Sequence, residues 1–113
     1  MPTLICGPSR AGKTTFSKQF EKVLHADECC GAKLYEQLPR FDVCEGLFLK
    51  KASRKRVCKA WENKGRLVLI WLDTPLNVCL SRGGRPEFII RDTADKFQPP
   101  TYEEGWDEII VIK

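Results

Sequence analysis

Apolar positions along the chain follow two rhythms, short continuous runs and stripes at helical spacing. Thr3-Leu4-Ile5-Cys6, Phe41 to Gly46, Leu67 to Leu72 and Glu108 to Ile112 read as strands. The third, LVLIWL, is apolar throughout, the mark of a strand covered on both faces at the centre of a parallel sheet. Between the strands, Phe16, Phe20, Val23 and Leu24 recur at spacings of four, three and one. They predict a helix over 15–24, with Lys18, Gln19, Glu21 and Lys22 on its outer side. Ala32 to Leu38 predicts a short helix ended by Pro39, and 50–63 a basic helix burying Val57, Ala60 and Trp61 before Lys64-Gly65 closes it. Pro75 opens a helix reaching Ser81, and 87–97 forms another before Gln98-Pro99-Pro100. Strands alternating with helices predict a compact three-layer α/β/α sandwich around a mainly parallel sheet of about four or five strands. No repeat, low-complexity tract or linker interrupts the pattern, so residues 1–113 are expected to form a single domain.

The joint between the first strand and the first helix carries the chemistry. Gly7-Pro8-Ser9-Arg10-Ala11-Gly12-Lys13-Thr14 fits G-x-x-x-x-G-K-[ST], the phosphate-binding P-loop, in the strand–loop–helix order that the motif requires. Its four fixed positions match by chance in roughly one chain of this length in a few hundred, and the flanking elements lower that further. Gly7 and Gly12 let the backbone wrap closely around phosphate, while the N–H groups of Ser9, Arg10, Ala11 and Thr15 are placed to line the cradle. The helix that follows would add its positive dipole end. Lys13 can reach the β- and γ-phosphates of ATP, and the Thr14 hydroxyl can ligate Mg²⁺. Arg10 lies at an exposed position, where it could meet phosphate or acceptor.

Composition narrows the setting without changing this picture. With 42% hydrophobic and 30% charged residues the chain is ordinary globular material, and a net charge of +4 leans only mildly towards anionic partners. ATP alone would satisfy that lean. No run of 18 apolar residues and no signal-peptide pattern occurs, so a cytoplasmic protein with no membrane partner is expected. None of the six cysteines forms C-x-x-C, and the lone His25 completes no zinc set. Cys6, Cys44, Cys58 and Cys79 lie in apolar stretches and are expected in the core, while Cys29-Cys30 reads as two incidental thiols rather than a redox pair.

Three longer stretches resemble polynucleotide-kinase-like P-loop kinases. FDVCEGLFLKKASRKR followed by LVLIWLDTPLNVCLSRGGR is similar to the middle of that family, and FQPPTYEEGWDEIIVI to its ending. The resemblance implies a P-loop kinase sandwich that transfers the γ-phosphoryl group of ATP, with Mg²⁺, to a hydroxyl. By position, Asp27 matches the acidic residue that acts on the acceptor hydroxyl. Arg82 and Arg85, flanking Gly83-Gly84, match a lid pair that clamps the phosphates, with 82–97 as the lid segment. A clamping arginine of this kind is worth about 10³ to 10⁵ in rate. Glu45 falls where a second acidic residue ends the strand beside the P-loop strand, near the phosphates and placed to hold Mg²⁺ with Thr14. Asp27 and Glu45 both remain candidates for the general base, and a solvated helix end is the alternative for Asp27.

The chain departs from the family after Asp27, where Glu28-Cys29-Cys30 stands in place of the usual arginine, and no strand is evident between Leu24 and Phe41. The acceptor expected from the resemblance is a nucleic acid or nucleotide, either a 5′-hydroxyl of DNA or RNA or a hydroxymethyl-pyrimidine in DNA. Two alternatives stand beside it: a small-metabolite kinase of the gluconate or shikimate sort, and a nucleotide-binding module without turnover. The basic cluster from Lys50 to Lys59 suits nucleic acid, but a solvated helix face is as common and no aromatic residues interleave there to stack bases.

Overall fold

The computed structural model describes residues 1–29 and 31–113, so the Cys29-Cys30 expectation lies in part outside the described residues. Five strands form one parallel sheet: β1 (Thr3–Cys6), β2 (Leu24–His25), β3 (Val43–Gly46), β4 (Val68–Leu72) and β5 (Glu108–Ile112), in the order β2-β3-β1-β4-β5. The helices are α1 (Lys13–Ser17), α2 (Ala32–Gln37), α3 (Lys51–Ala60), α4 (Leu76–Arg82) and α5 (Glu87–Lys96).

The side-chain alternation of the strands splits the interior into two layers. Leu4, Cys6, Cys44 and Leu69 point to one face and pack with Leu34, Val57, Cys58 and Trp61 of the α2–α3 side. Ile5, Val43, Val68, Ile70 and Leu72 point to the other and pack with Phe16, Leu76, Cys79 and Ile90 of the α1–α4–α5 side. The expected three-layer sandwich is what forms. Cys6, Cys44, Cys58 and Cys79 are buried in it, and burial pushes the Cys6 and Cys58 thiols up to about 12, which leaves them inert.

Two expectations fail in the same stretch. The helix expected over 15–24 stops at Ser17, giving a helix of five residues, and the chain then turns through Phe20. Phe16, Phe20 and Val23 stay on one face, but Leu24 crosses into the opposite layer, which no continuous helical stripe could do. Leu24 does so because it belongs to β2, a two-residue edge strand in parallel register with Cys44 and Glu45. The strand missing from the sequence pattern is therefore present, too short to show a periodicity.

The basic helix also differs from a plain solvated face. Arg54 is fully buried, and its Nε donates to Glu104 Oε1 at 2.8 Å. Its Nη1 donates to the Phe48 carbonyl at 2.8 Å and its Nη2 to the Gln98 carbonyl at 2.6 Å. Glu104 also accepts from Trp106 Nε1 and the Thr101 N–H. Burial alone would push the Glu104 carboxyl up, but these hydrogen bonds and the Arg54 charge outweigh it and hold the group below the ordinary glutamate range. The Glu-Gly-Trp patch near the C-terminus is thus a structural lock. It fastens α3 to the loops that begin at Phe48 and Gln98.

Candidate active site

Every strand ends its C-terminal tip on the same edge of the sheet, where open α/β sheets gather their ligands. A cavity of about 1020 Å³ opens there. Ser9, Arg10, Ala11, Gly12, Lys13, Thr14 and Thr15 of the P-loop line it, together with Asp27, Glu45, Arg82 and Arg85. Residues expected from four separate stretches of sequence are brought to one space. Gly7 is the exception and stands behind the loop, where a Cβ would come within 2.8 Å of the Leu72 carbonyl oxygen.

Within the P-loop, Lys13 Nζ donates to the Pro8 carbonyl at 2.8 Å, which curls the ammonium back over its own loop. Burial pushes its pKa down, while the charge of Glu45, and less that of Asp27, opposes the shift. Because α1 has only one turn and a half, anion attraction rests on the loop N–H groups more than on a long helix dipole. The Ser9 N–H is not among those facing the cradle: it donates to Thr93 Oγ1 at 3.0 Å, and Thr93 in turn donates to the Ile90 carbonyl. This contact from α5 fixes the loop from behind.

Removing it has a predictable outcome. Thr93→Val leaves the buried Ser9 N–H without an acceptor and should destabilise the fold by about 1–3 kcal/mol, whereas Thr93→Ser keeps the oxygen and most of the stability. Denaturant midpoints for the two variants check this, and equal losses would deny the hydrogen bond its role.

The basic loop lies directly on the P-loop. Arg82 Nη1 donates to the Arg10 carbonyl at 2.7 Å, and a Cβ on Gly12 would come within 3.2 Å of the same nitrogen. Gly83 and Gly84 have φ of +61° and +85°, and the Arg10 guanidinium packs against Gly84. Arg82 ends α4 and α5 begins at Glu87, so the expected lid segment is a four-residue loop followed by a helix. Arg91 pairs with Glu87 at 2.8 Å on the outer surface and is not part of the cavity lining.

On the opposite side, Asp27 sits exposed in the single 3-10 turn Ala26–Glu28 that follows β2. Glu45, only 4% exposed, is the last residue but one of β3, and His25 Nδ1 meets its Oε1 at 2.9 Å. The strand pairing places His25 and Glu45 side by side, a neighbour relation hidden in the sequence because β2 itself was not legible. Gly46 lets the turn approach: a Cβ there would meet the Ala26 Cβ at 2.6 Å and the Phe48 ring at 2.8 Å. Tyr35, Phe48 and Ser53 complete this wall; none carries a motif that singles it out.

No group of three or more His, Cys, Asp or Glu side chains among the described residues could cage a metal by itself. The hydroxyl of Thr14 and the buried carboxylate of Glu45, both facing the cavity, are instead a hard-oxygen set of the kind that holds Mg²⁺ jointly with phosphate. The residues present fit that ion.

No protein-family model matches the chain, and no curated protein is similar to it in sequence. Among solved structures it is similar to a gluconokinase from Sinorhizobium meliloti 1021, with a TM-score of 0.72 at 12% identity over 97% of this chain and 80% of that one. The likeness is one of fold, an α/β sandwich around a parallel sheet. Among the described residues no helix is long and apolar enough to cross a membrane.

Proposed function

We propose that the protein is an ATP- and Mg²⁺-dependent phosphotransferase that moves the γ-phosphoryl group to a hydroxyl of a small metabolite. The observation that carries this reading is the single cavity shared by the P-loop, two carboxylates and the Arg82–Arg85 loop. Phosphoryl transfer needs little beyond that kit, since catalysis is mainly positioning and charge neutralisation.

In this reading Lys13 leaves the Pro8 carbonyl for the β- and γ-phosphates, and Arg82 and Arg85 clamp them from above. Thr14 and Glu45 would hold Mg²⁺, which when bound neutralises charge on the phosphate oxygens. Asp27 accepts the proton of the acceptor hydroxyl as its oxygen bonds to the γ-phosphorus and the bond to the β-phosphate oxygen breaks.

A nucleic-acid acceptor has weaker support. Of the cations in the basic helix, Arg54 is consumed inside the core and the Arg56 guanidinium lies 3.9 Å over the Tyr35 ring. Lys50, Lys51, Lys55 and Lys59 stay exposed but are not part of the cavity lining.

Asp27→Asn should lower kcat about 10²- to 10⁴-fold while leaving the KM for ATP within a factor of a few. Steady-state kinetics over both substrates measures this. Parallel loss of kcat and ATP affinity would assign Asp27 to structure instead.

A further inference from the structure

The two flanks of the cavity carry opposite charge. The P-loop strand β1 lies at the centre of the sheet, with β3 and β2 on one side and β4 and β5 on the other. On the β4–β5 side the lining includes the cations Arg82, Arg85 and Lys113. On the β2–β3 side it includes the acidic Asp27 and Glu45, the hydroxyl-bearing residues Tyr35 and Ser53, and the apolar Leu47 and Phe48.

Among the described residues that line the cavity, no Lys or Arg stands on that second flank. Arg54 is fully buried against Glu104 and two carbonyls, and Arg56 lies over the Tyr35 ring outside the lining. Arg10 turns across the P-loop to Gly84, on the lid side. Lys13 stands between the flanks and is claimed by phosphate in the proposed reaction. His25 meets Glu45, so even a protonated His25 offsets only one of the two carboxylates.

We infer that the acceptor is a small alcohol without negative charge, a polyol, sugar or nucleoside, and that carboxylate- or phosphate-bearing acceptors are excluded by the Asp27–Glu45 flank. This rests on the kinase reading and sharpens it. An acid would place its charge beside two carboxylates on a flank whose described lining holds no Lys or Arg, and Mg²⁺ held at Glu45 would be shared with the triphosphate, so the specificity is built by repulsion as much as by contact. The donor triphosphate finds its side-chain counter-charges, Lys13, Arg82 and Arg85, on the P-loop and the opposite flank.

Acceptor pairs that share a skeleton and differ in charge test this on the intact protein: glucitol against gluconate, ribitol against ribonate, and thymidine against its 3′-monophosphate. The uncharged member of a pair should be phosphorylated with at least about tenfold higher kcat/KM, the smallest discrimination expected from an unmatched like charge. Equal or better use of the charged members overturns the inference while leaving the kinase reading intact. If no member of any pair takes up phosphate although ATP binds, the kinase reading is the one that suffers. Calorimetric titration of the same pairs in Mg²⁺ and a non-hydrolysable ATP analogue then decides the inference: binding of the uncharged members alone supports it, and binding of the acids, or of neither, overturns it. Leu47→Arg, at a partly exposed position of the same flank, should raise the charged-to-uncharged ratio about tenfold or more, and an unchanged ratio counts against the charge argument.

Discussion

Replacing Lys13 by Ala should reduce phosphoryl transfer at least about a hundredfold, the scale of losing one preorganised charge donor at a reacting phosphate. The side chain contributes to the folded protein chiefly one hydrogen bond, to the Pro8 carbonyl, which remains close to the Ala11 N–H at 3.2 Å. The variant should therefore fold normally, and its defect should appear in turnover and ATP affinity rather than in thermal stability. Burial already pushes the Lys13 ammonium down from its usual pKa, so the site holds a charge it is poorly solvated to keep until an anion arrives. Rate measurements with circular dichroism alongside check the prediction. A variant with the wild-type rate would remove the P-loop from the mechanism.

The largest effect on stability is expected at the buried Arg54–Glu104 pair. Arg54→Met removes the partner of a buried carboxylate and strips hydrogen bonds from the Phe48 and Gln98 carbonyls together. Breaking a buried ion pair from one side costs about 3–5 kcal/mol, because the remaining charge stays buried and unmatched. Adding Glu104→Gln to Arg54→Met should recover part of that loss by removing the stranded charge. A double variant no more stable than the single one would show that packing against the Phe97 ring, 5.3 Å from the guanidinium, matters more than charge. The same pair sets an acid limit. With its folded-state pKa below the ordinary glutamate range, Glu104 stabilises the fold above that range, and the contribution fades as pH falls through the lower folded value.

The proposed donor half of the site was legible because its motif is local. A P-loop is contiguous, its glycines and lysine are fixed by contact with phosphate, and the apolar run of β4 announces a central strand. Arg82 and Arg85 were legible as a basic glycine-flanked loop, although only the structure shows Arg82 resting on the Arg10 carbonyl. What remained hidden is non-local or too short to be periodic. β2 has two residues, so its pairing of His25 with Glu45 left no pattern. Thr93 supports Ser9 across 84 positions of chain with a single hydroxyl. Arg54 looked like one more cation of a solvated helix, because its burial depends on Glu104, which follows 50 residues later. The helix expected to run to Leu24 failed because apolar residues at helical spacing also suit a chain that turns and crosses from one layer to the other.

Transfer of label from γ-³²P-ATP tests the central claim most directly, with small alcohols, 5′-hydroxyl DNA and 5′-hydroxyl RNA offered side by side with Mg²⁺. The account predicts label on a small alcohol, absent with Lys13→Ala and absent when Mg²⁺ is chelated. Label confined to the nucleic acids would contradict the acceptor class, and bound ATP with no label anywhere would contradict the enzyme itself.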